Sequence, residues 1–269
     1  STRGLYVLMV LWLAPMVNEV YGPVFSGLDD WRGSGGKISL IAGRDRSVPR
    51  ILLPPIKTNS TADNRPQLAL ILTGQHLEET SGPVLVSRPE AVLPILTPLL
   101  SAGITCAIYP LINHHGLNFA ATDDPIRLRL DESGHNYNSG WGLPKTKRPA
   151  EVALAEADIR SLRGFYEIIL AATIHEDSAS PNYGYAWVNN FPDDSRRQLV
   201  SRFSHLWGTT HLSDFSGPEE FLMVDFSDGD SVENWLADLS GAPVICIESP
   251  YGEPLETRSI LVWPCLPPP

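Results

Sequence analysis

The sequence is poor in cysteine, and its three cysteines lack the spacing of a zinc finger. Cys106 and Cys246 lie within apolar runs, and Cys265 makes the count odd. Such positions predict small buried core residues rather than a disulfide or a redox pair. Cysteine usage therefore indicates neither an oxidising nor a reducing compartment.

Positive charge is also scarce. The chain has 20 Lys and Arg against 31 Asp and Glu, a formal net charge of −11. Its densest basic group contains only Lys145, Lys147 and Arg148. Because phosphate contacts need a concentrated positive surface, we expect no nucleic-acid partner.

Internal repeats are missing, and one apolar run stands out near the N-terminus. Residues 5–17 carry no charge and follow Arg3, as in a signal peptide. The run is too short to predict a stable membrane span. A packed N-terminal helix or strand would explain the same residues, so cytoplasmic and secreted locations both stay open.

Apolar runs and helical patterns alternate along the 269 residues. Strands are predicted at 38–42, 51–56, 68–73, 104–111, 170–174 and 242–247, the first two forming a hairpin. Helices are predicted at 89–102, 150–169 and 231–239, the last capped by Ser231. This order predicts a single-domain α/β fold, with a mixed, mostly parallel twisted sheet and helices on both faces. Polar segments at 113–148 and 176–218 are predicted to be long loops that build a site.

Polar residues follow four of the predicted strands, at the point where each strand ends. They are His76 with Glu79, Asn113, His175 and Glu248. In an open α/β sheet the ligand crevice lies outside the carboxyl ends of the strands, so these residues should meet at one edge.

The residue types fit a catalytic zinc site, which needs three protein ligands and one open position. We predict His76, Glu79 and His175 as ligands of one Zn²⁺ ion. Glu248 is placed to accept a proton from the attacking water, and Arg129 to stabilise an oxyanion. Each residue alone is weak support, because a lone histidine or glutamate at a strand end is usually an ordinary polar residue. Only their joint placement favours a metal site.

Five segments resemble the zinc carboxypeptidase family, in family order over residues 36–260. GQHLEETSGP, from residue 74, resembles the first zinc motif, and TIHEDS, from Thr173, resembles the second. YPLINHHGLNF, RLDESGHNYNSGW and CIESP are similar to three further family segments. The resemblance implies a catalytic domain at 36–269, preceded by an N-terminal segment at 1–35. It also implies the zinc, base and oxyanion roles given above.

The resemblance further implies how the substrate is held, and here the sequence departs from the family. Asn138 matches the asparagine that helps to grip the terminal carboxylate, but Ser139 stands where the family has an arginine. Serine cannot supply that bidentate positive contact. Three other cations could replace it: Arg127, Lys145 and Arg258. The family's "PDG" is His114-His115-Gly116 here. The two histidines could be extra metal ligands, but we expect them to face solvent. No tyrosine is assigned to the substrate-capping position, for which Tyr183, Tyr185 and Tyr251 are available.

Three functions remain after this comparison of motifs. The first is a metallocarboxypeptidase that removes a C-terminal residue from a peptide. The second is a zinc amidohydrolase, similar to aspartoacylase or succinylglutamate desuccinylase, that deacylates a small N-acyl amino acid. The third is a binding protein that keeps the fold without turnover. A small, closed, cationic pocket would favour the second function, and an open groove would favour peptides.

Overall fold

The computed structural model describes most of the chain between residues 24 and 250. The described residues are 24, 27–56, 65–119, 128–177, 185–195, 198, 222–224 and 229–250. Several predictions lie outside them: the apolar run at 5–17, Arg127, Tyr183, Tyr251, Arg258 and Cys265.

One eight-stranded mixed sheet forms the centre of the fold. Its strands are β1 (Lys37–Ala42), β2 (Ser47–Leu53), β3 (Gln67–Thr73), β4 (Thr105–Tyr109), β5 (Glu167–Asp177), β6 (Tyr185–Asn189), β7 (Leu222–Val224) and β8 (Val244–Pro250). Their spatial order is β1-β2-β4-β3-β5-β8-β6-β7. The central strands β4, β3, β5 and β8 are parallel, whereas β1, β2 and β6 join by antiparallel pairing. The mixed, mostly parallel sheet is thus confirmed.

Helices cover both faces of this sheet. They are α1 (27–33), α2 (Ser81–Val86), α3 (Pro89–Ser101), α4 (Ala150–Phe165) and α5 (Val232–Ser240). Neighbouring residues of β3 alternate between two apolar clusters. Ile71 packs with residues of α1, α2 and α3, whereas Leu70 and Leu72 pack with residues of α4 and α5. β3 therefore contributes to a core on either side, as its continuous apolar sequence predicted.

Local sequence explains most of the element boundaries. Ser231 begins α5 by accepting a hydrogen bond from the Asn234 backbone N–H, and Gly241 ends the helix with φ 70°. The predicted helix 89–102 forms even though Pro94 and Pro98 lie inside it. The predicted helix 150–169 was too long. The backbone becomes extended at Tyr166, and β5 begins at the next residue. Segment 176–218 was predicted to be a loop, yet it contains β6.

Trp31, from the predicted N-terminal segment, is fully buried, and its indole N–H donates to the Val86 carbonyl at 2.9 Å. The predicted boundary at residue 35 stays a prediction. Within the described part of the chain, the helices are too short or too polar to cross a membrane.

Candidate metal centre

The first candidate ligands lie in a tight turn directly after β3. Gly74 has a φ of 68°, and a Cβ there would come within 3.0 Å of the Leu111 Cα. Only glycine fits such a position without strain. The turn is closed by the Glu79 N–H, which donates to the His76 carbonyl at 3.2 Å. His76 and Glu79 are consequently held three residues apart on a rigid connection.

The remaining candidates lie on two adjacent parallel strands. His175 on β5 is the register partner of Glu248 on β8. Residues paired in this way point to the same face of a sheet, with strands roughly 4.8 Å apart. Ser249 fixes the same region: its Oγ lies 2.9 Å from Ser81 Oγ and 3.2 Å from the His175 carbonyl. The turn after β3 is thereby tied to both strands.

His76, Glu79 and His175 converge in the interior of the protein. The Nδ1 atom of His76 is 2.6 Å from Glu79 Oε1, and the Nδ1 atom of His175 is 2.7 Å from Glu79 Oε2. The three ligand-type atoms all lie within 4.8 Å of one another, and all three residues are buried. Two imidazole nitrogens and a carboxylate at such distances form a donor set that zinc accepts.

Neighbouring charges shift the pKa values of Glu79 and His175. Burial alone would raise the pKa of Glu79, but the neighbouring His76 and His175 outweigh it and hold that pKa well below its usual range. Burial would lower the pKa of His175, yet the charge and hydrogen bond of Glu79 raise it to about 9. The carboxylate is therefore ionised at neutral pH, as a metal ligand must be.

The outer nitrogens of the two histidines face different partners. His76 Nε2 lies 2.9 Å from Asn136 Oδ1 and can donate to it, an arrangement that would leave the Nδ1 lone pair for a bound metal. His175 Nε2 is buried without a hydrogen-bond partner and lies 3.7 Å from Glu233 Oε1. Neither Asn136 nor Glu233 was predicted from the sequence.

Arg129 reaches the cluster from the loop that follows residue 127. Its Nη2 donates to Glu79 Oε1 at 2.9 Å, and its Nε donates to Glu78. About one third of the side chain is exposed. A cation beside a candidate ligand, with one side open to solvent, is placed to meet a developing negative charge.

The structure describes only some of the predicted substrate-binding residues. The Asn138 backbone N–H donates to Asn136 Oδ1 at 2.7 Å, and its own buried Oδ1 has no hydrogen-bond partner. Ser139 follows in the same loop and is partly buried. Tyr185 on β6 is the register partner of Glu248. The side chain of Tyr185 and the whole of Arg127 lie outside the part of the chain that the structure describes. Lys145 lines a different cavity, of about 480 Å³.

Further predictions concern the two histidines and two of the cysteines. His114 Nδ1 lies 3.1 Å from both Ser47 Oγ and the Ser47 carbonyl, and His115 Nε2 lies 3.0 Å from Glu132. Neither histidine belongs to a cluster of metal-type ligands among the described residues. Both are partly buried, and the expectation that they face solvent stays a prediction. Cys106 and Cys246 are buried free thiols, as predicted.

Comparison with known proteins identifies the class of fold. No protein-family model and no curated protein matches the sequence. Among solved structures, a candidate metallopeptidase from Shewanella amazonensis matches with TM-score 0.65 and 18% identity, covering 94% of this chain and 91% of that one. A metallo-carboxypeptidase from Burkholderia cenocepacia matches with TM-score 0.61 and 15% identity, covering 89% and 65%. One from Pseudomonas aeruginosa, in complex with (2-guanidinoethylmercapto)succinic acid, matches with TM-score 0.55 and 14% identity, covering 89% and 66%.

These matches show the fold. The chain has a divergent form of the zinc carboxypeptidase-like fold, as the resemblance of its motifs implied. At such low identity the likeness does not extend to substrate or activity. Those depend on the residues of the site.

Proposed function

We propose that this protein is a zinc-dependent hydrolase that cleaves a C-terminal peptide bond, with residues 36–269 as its catalytic unit. The observation that carries the proposal is the convergence of two imidazole Nδ1 atoms on the two oxygens of Glu79, beside Glu248 in paired register. Zinc bound by His76, Glu79 and His175 would lower the pKa of a water molecule and polarise the substrate carbonyl.

Two residues beside the centre are assigned the proton transfer and the stabilisation of the oxyanion. Glu248 accepts a proton from the attacking water and passes it to the leaving nitrogen as the C–N bond breaks. Its carboxylate is only partly buried, which leaves it accessible to substrate. Arg129 stabilises the negative charge that develops on the carbonyl oxygen when water attacks the carbonyl carbon. The products are a shortened peptide acid and a free amino acid.

Recognition of the substrate is proposed for the loop that contains Asn138 and Ser139. The orphaned Oδ1 of Asn138 can accept a hydrogen bond but cannot neutralise a carboxylate. With Ser139 in place of an arginine, a positive contact to the terminal carboxylate has to come from another residue, for which Arg127 is our candidate. Tyr185, opposite Glu248 in the sheet, is proposed to line the substrate site.

The first test is the Glu248→Gln variant. We expect hydrolysis of a peptide substrate to fall by about 10²–10⁴-fold, the usual contribution of a general base, while bound zinc stays at one ion per chain. The matched control is Glu167→Gln, at the exposed opposite end of β5. Turnover retained in Glu248→Gln would contradict the base assignment.

A substrate panel separates the proposed reaction from its competitors. It contains peptides with free and amidated C-termini and a series of N-acyl amino acids. Release of single C-terminal residues supports a carboxypeptidase, whereas cleavage of N-acyl amino acids alone would favour the amidohydrolase. Pure protein without zinc, unaffected by chelators and inactive on the whole panel, would favour a binding protein.

A further inference from the structure

Glu233 is a buried carboxylate that the proposed reaction does not use. It lies in the first turn of α5, where the helix N-terminus favours a negative charge. Its side chain is about 2% exposed. Its Oε1 accepts a hydrogen bond from the Thr173 hydroxyl, while its Oε2 has no hydrogen-bond partner. Burying an incompletely bonded carboxylate is costly, so a further interaction is expected.

Another incompletely bonded group, His175 Nε2, lies close to Glu233. This nitrogen lies 3.7 Å from Glu233 Oε1 and is itself buried without a hydrogen-bond partner. The opposite nitrogen of the ring, Nδ1, lies against Glu79. If Nδ1 presents its lone pair to a metal, Nε2 has to carry the proton, because a neutral imidazole has only one. A shift of about 1 Å would bring Nε2 and Oε1 to hydrogen-bond distance.

We propose that Glu233 is the positioning residue of His175. It accepts the Nε2–H hydrogen bond, which selects the tautomer with Nδ1 available and makes the imidazole a stronger donor to the metal. The inference rests on the proposed metal centre. It makes the two histidines unequal, since the acceptor for His76 is the neutral amide of Asn136 and the acceptor for His175 is a charged carboxylate.

A competing use of Glu233 is a second metal site. His175, Glu233 and Cys246 also offer ligand atoms within 4.8 Å of one another. This site would require His175 to bridge two ions and Cys246 to lose its proton. Burial, together with Glu233 and Glu248, raises the pKa of that thiol well above its usual range, which opposes thiolate formation. Because His175 would have to bridge two ions and a buried thiol would have to ionise, a single ion with Glu233 as an outer carboxylate is favoured.

Zinc titration of the metal-free full chain tests the proposal. Calorimetry should show one zinc ion per chain in the wild type, and about 10–100-fold weaker binding in Glu233→Gln, the usual effect of losing an outer-shell partner. The matched control is Asp238→Asn, exposed on the same helix, which should bind zinc as the wild type does. Equal affinity in Glu233→Gln and the wild type would overturn the proposal, as would a second zinc ion whose binding is lost in Cys246→Ser.

A spectroscopic measurement distinguishes positioning from a general effect on folding. In the zinc-loaded wild type, NMR of ¹⁵N-labelled histidine should show a protonated His175 Nε2, with its proton shifted downfield by a carboxylate acceptor. Glu233→Gln should move that proton upfield while leaving the His76 Nε2–H resonance in place. If Glu233→Gln does not fold, the wild-type spectrum still decides, because an unprotonated or solvent-exchanging Nε2 contradicts the proposal.

Failure of this inference can be told apart from failure of the proposed function. A wild-type protein that takes up no zinc contradicts the hydrolase itself. A wild-type protein that binds zinc and depends on Glu248 for turnover, but whose affinity does not respond to Glu233, contradicts only the positioning role.

Discussion

Two buried carboxylates, Glu156 and Glu79, are surrounded in different ways. Glu156 on α4 is 6% exposed and is paired with Arg148 and with Arg160, the latter at 2.9 Å. It also accepts the Gly142 backbone N–H at 2.9 Å. Glu79 is 4% exposed. Each of its oxygens faces an imidazole, and its Oε1 also accepts a hydrogen bond from Arg129 at 2.9 Å. Both anions have arginine partners, but only Glu79 has imidazole partners as well.

The difference indicates which cluster is structural and which is suited to a metal. Guanidinium groups keep their charge at all ordinary pH values, so the pairs of Glu156 are permanent. Imidazoles exchange their proton near neutrality and then offer a lone pair. A metal ion can therefore take the place of an imidazole proton beside Glu79, whereas the side chains paired with Glu156 are both arginines, which offer no lone pair to a metal.

The largest expected effect concerns the structural cluster. Glu156→Gln should lower the free energy of unfolding by about 3–5 kcal/mol, because it leaves the largely buried Arg148 without its compensating charge. Urea unfolding of the metal-free protein measures this loss. Zinc affinity should not change. A loss below about 1 kcal/mol would contradict this prediction, because it would show that the Arg148–Glu156 pair contributes no more than a weak surface ion pair.

A slightly smaller effect is expected from zinc itself. At a free zinc concentration about 1,000 times Kd, binding should raise the free energy of unfolding by about 4 kcal/mol. Glu79→Gln should abolish this stabilisation, whereas Glu156→Gln should retain it. Thermal unfolding with and without zinc, in the three proteins, makes the comparison. Equal stabilisation of Glu79→Gln and the wild type would exclude Glu79 as a ligand.

The smallest effect is a pH dependence of the metal-free protein. Since folding raises the pKa of His175 from 6.5 to about 9, the protonated imidazole stabilises the folded state fully below pH 6.5. This contribution, on the order of 3 kcal/mol, is lost as pH rises to about 9. Unfolding free energies across this range should fall in the wild type and change less in His175→Gln. Zinc-loaded protein should not show the decline, because the metal displaces that proton.

The sequence predicted those features that depend on local pattern. Buried strands have continuous apolar runs, and His76, Glu79, His175 and Glu248 follow such runs directly, so their meeting at one sheet edge could be expected. The structure brings the first three together, while their roles as ligands stay predictions.

Features that depend on distant packing were not predictable. Glu233 in the first turn of a capped helix is indistinguishable by sequence from an ordinary helix-start glutamate, and only the fold brings it to His175. Asn136 lies in a loop whose path is set by tertiary contacts. The end of α4 was misplaced because residues 166–169 are apolar enough for either a helix or a buried strand.

The pairing of β5 with β8 has a consequence for the accuracy of the site. Side chains along a strand alternate in direction, so a slip of β8 by a single residue would aim Glu248 away from His175 and bring Ile247 or Ser249 beside it. Burial of Val244, Ile245 and Ile247 opposes that slip, because it would have to repack the apolar layers on both faces. Packing of the hydrophobic core thus fixes the register of β8, and the register determines that Glu248 lies beside the His175 imidazole.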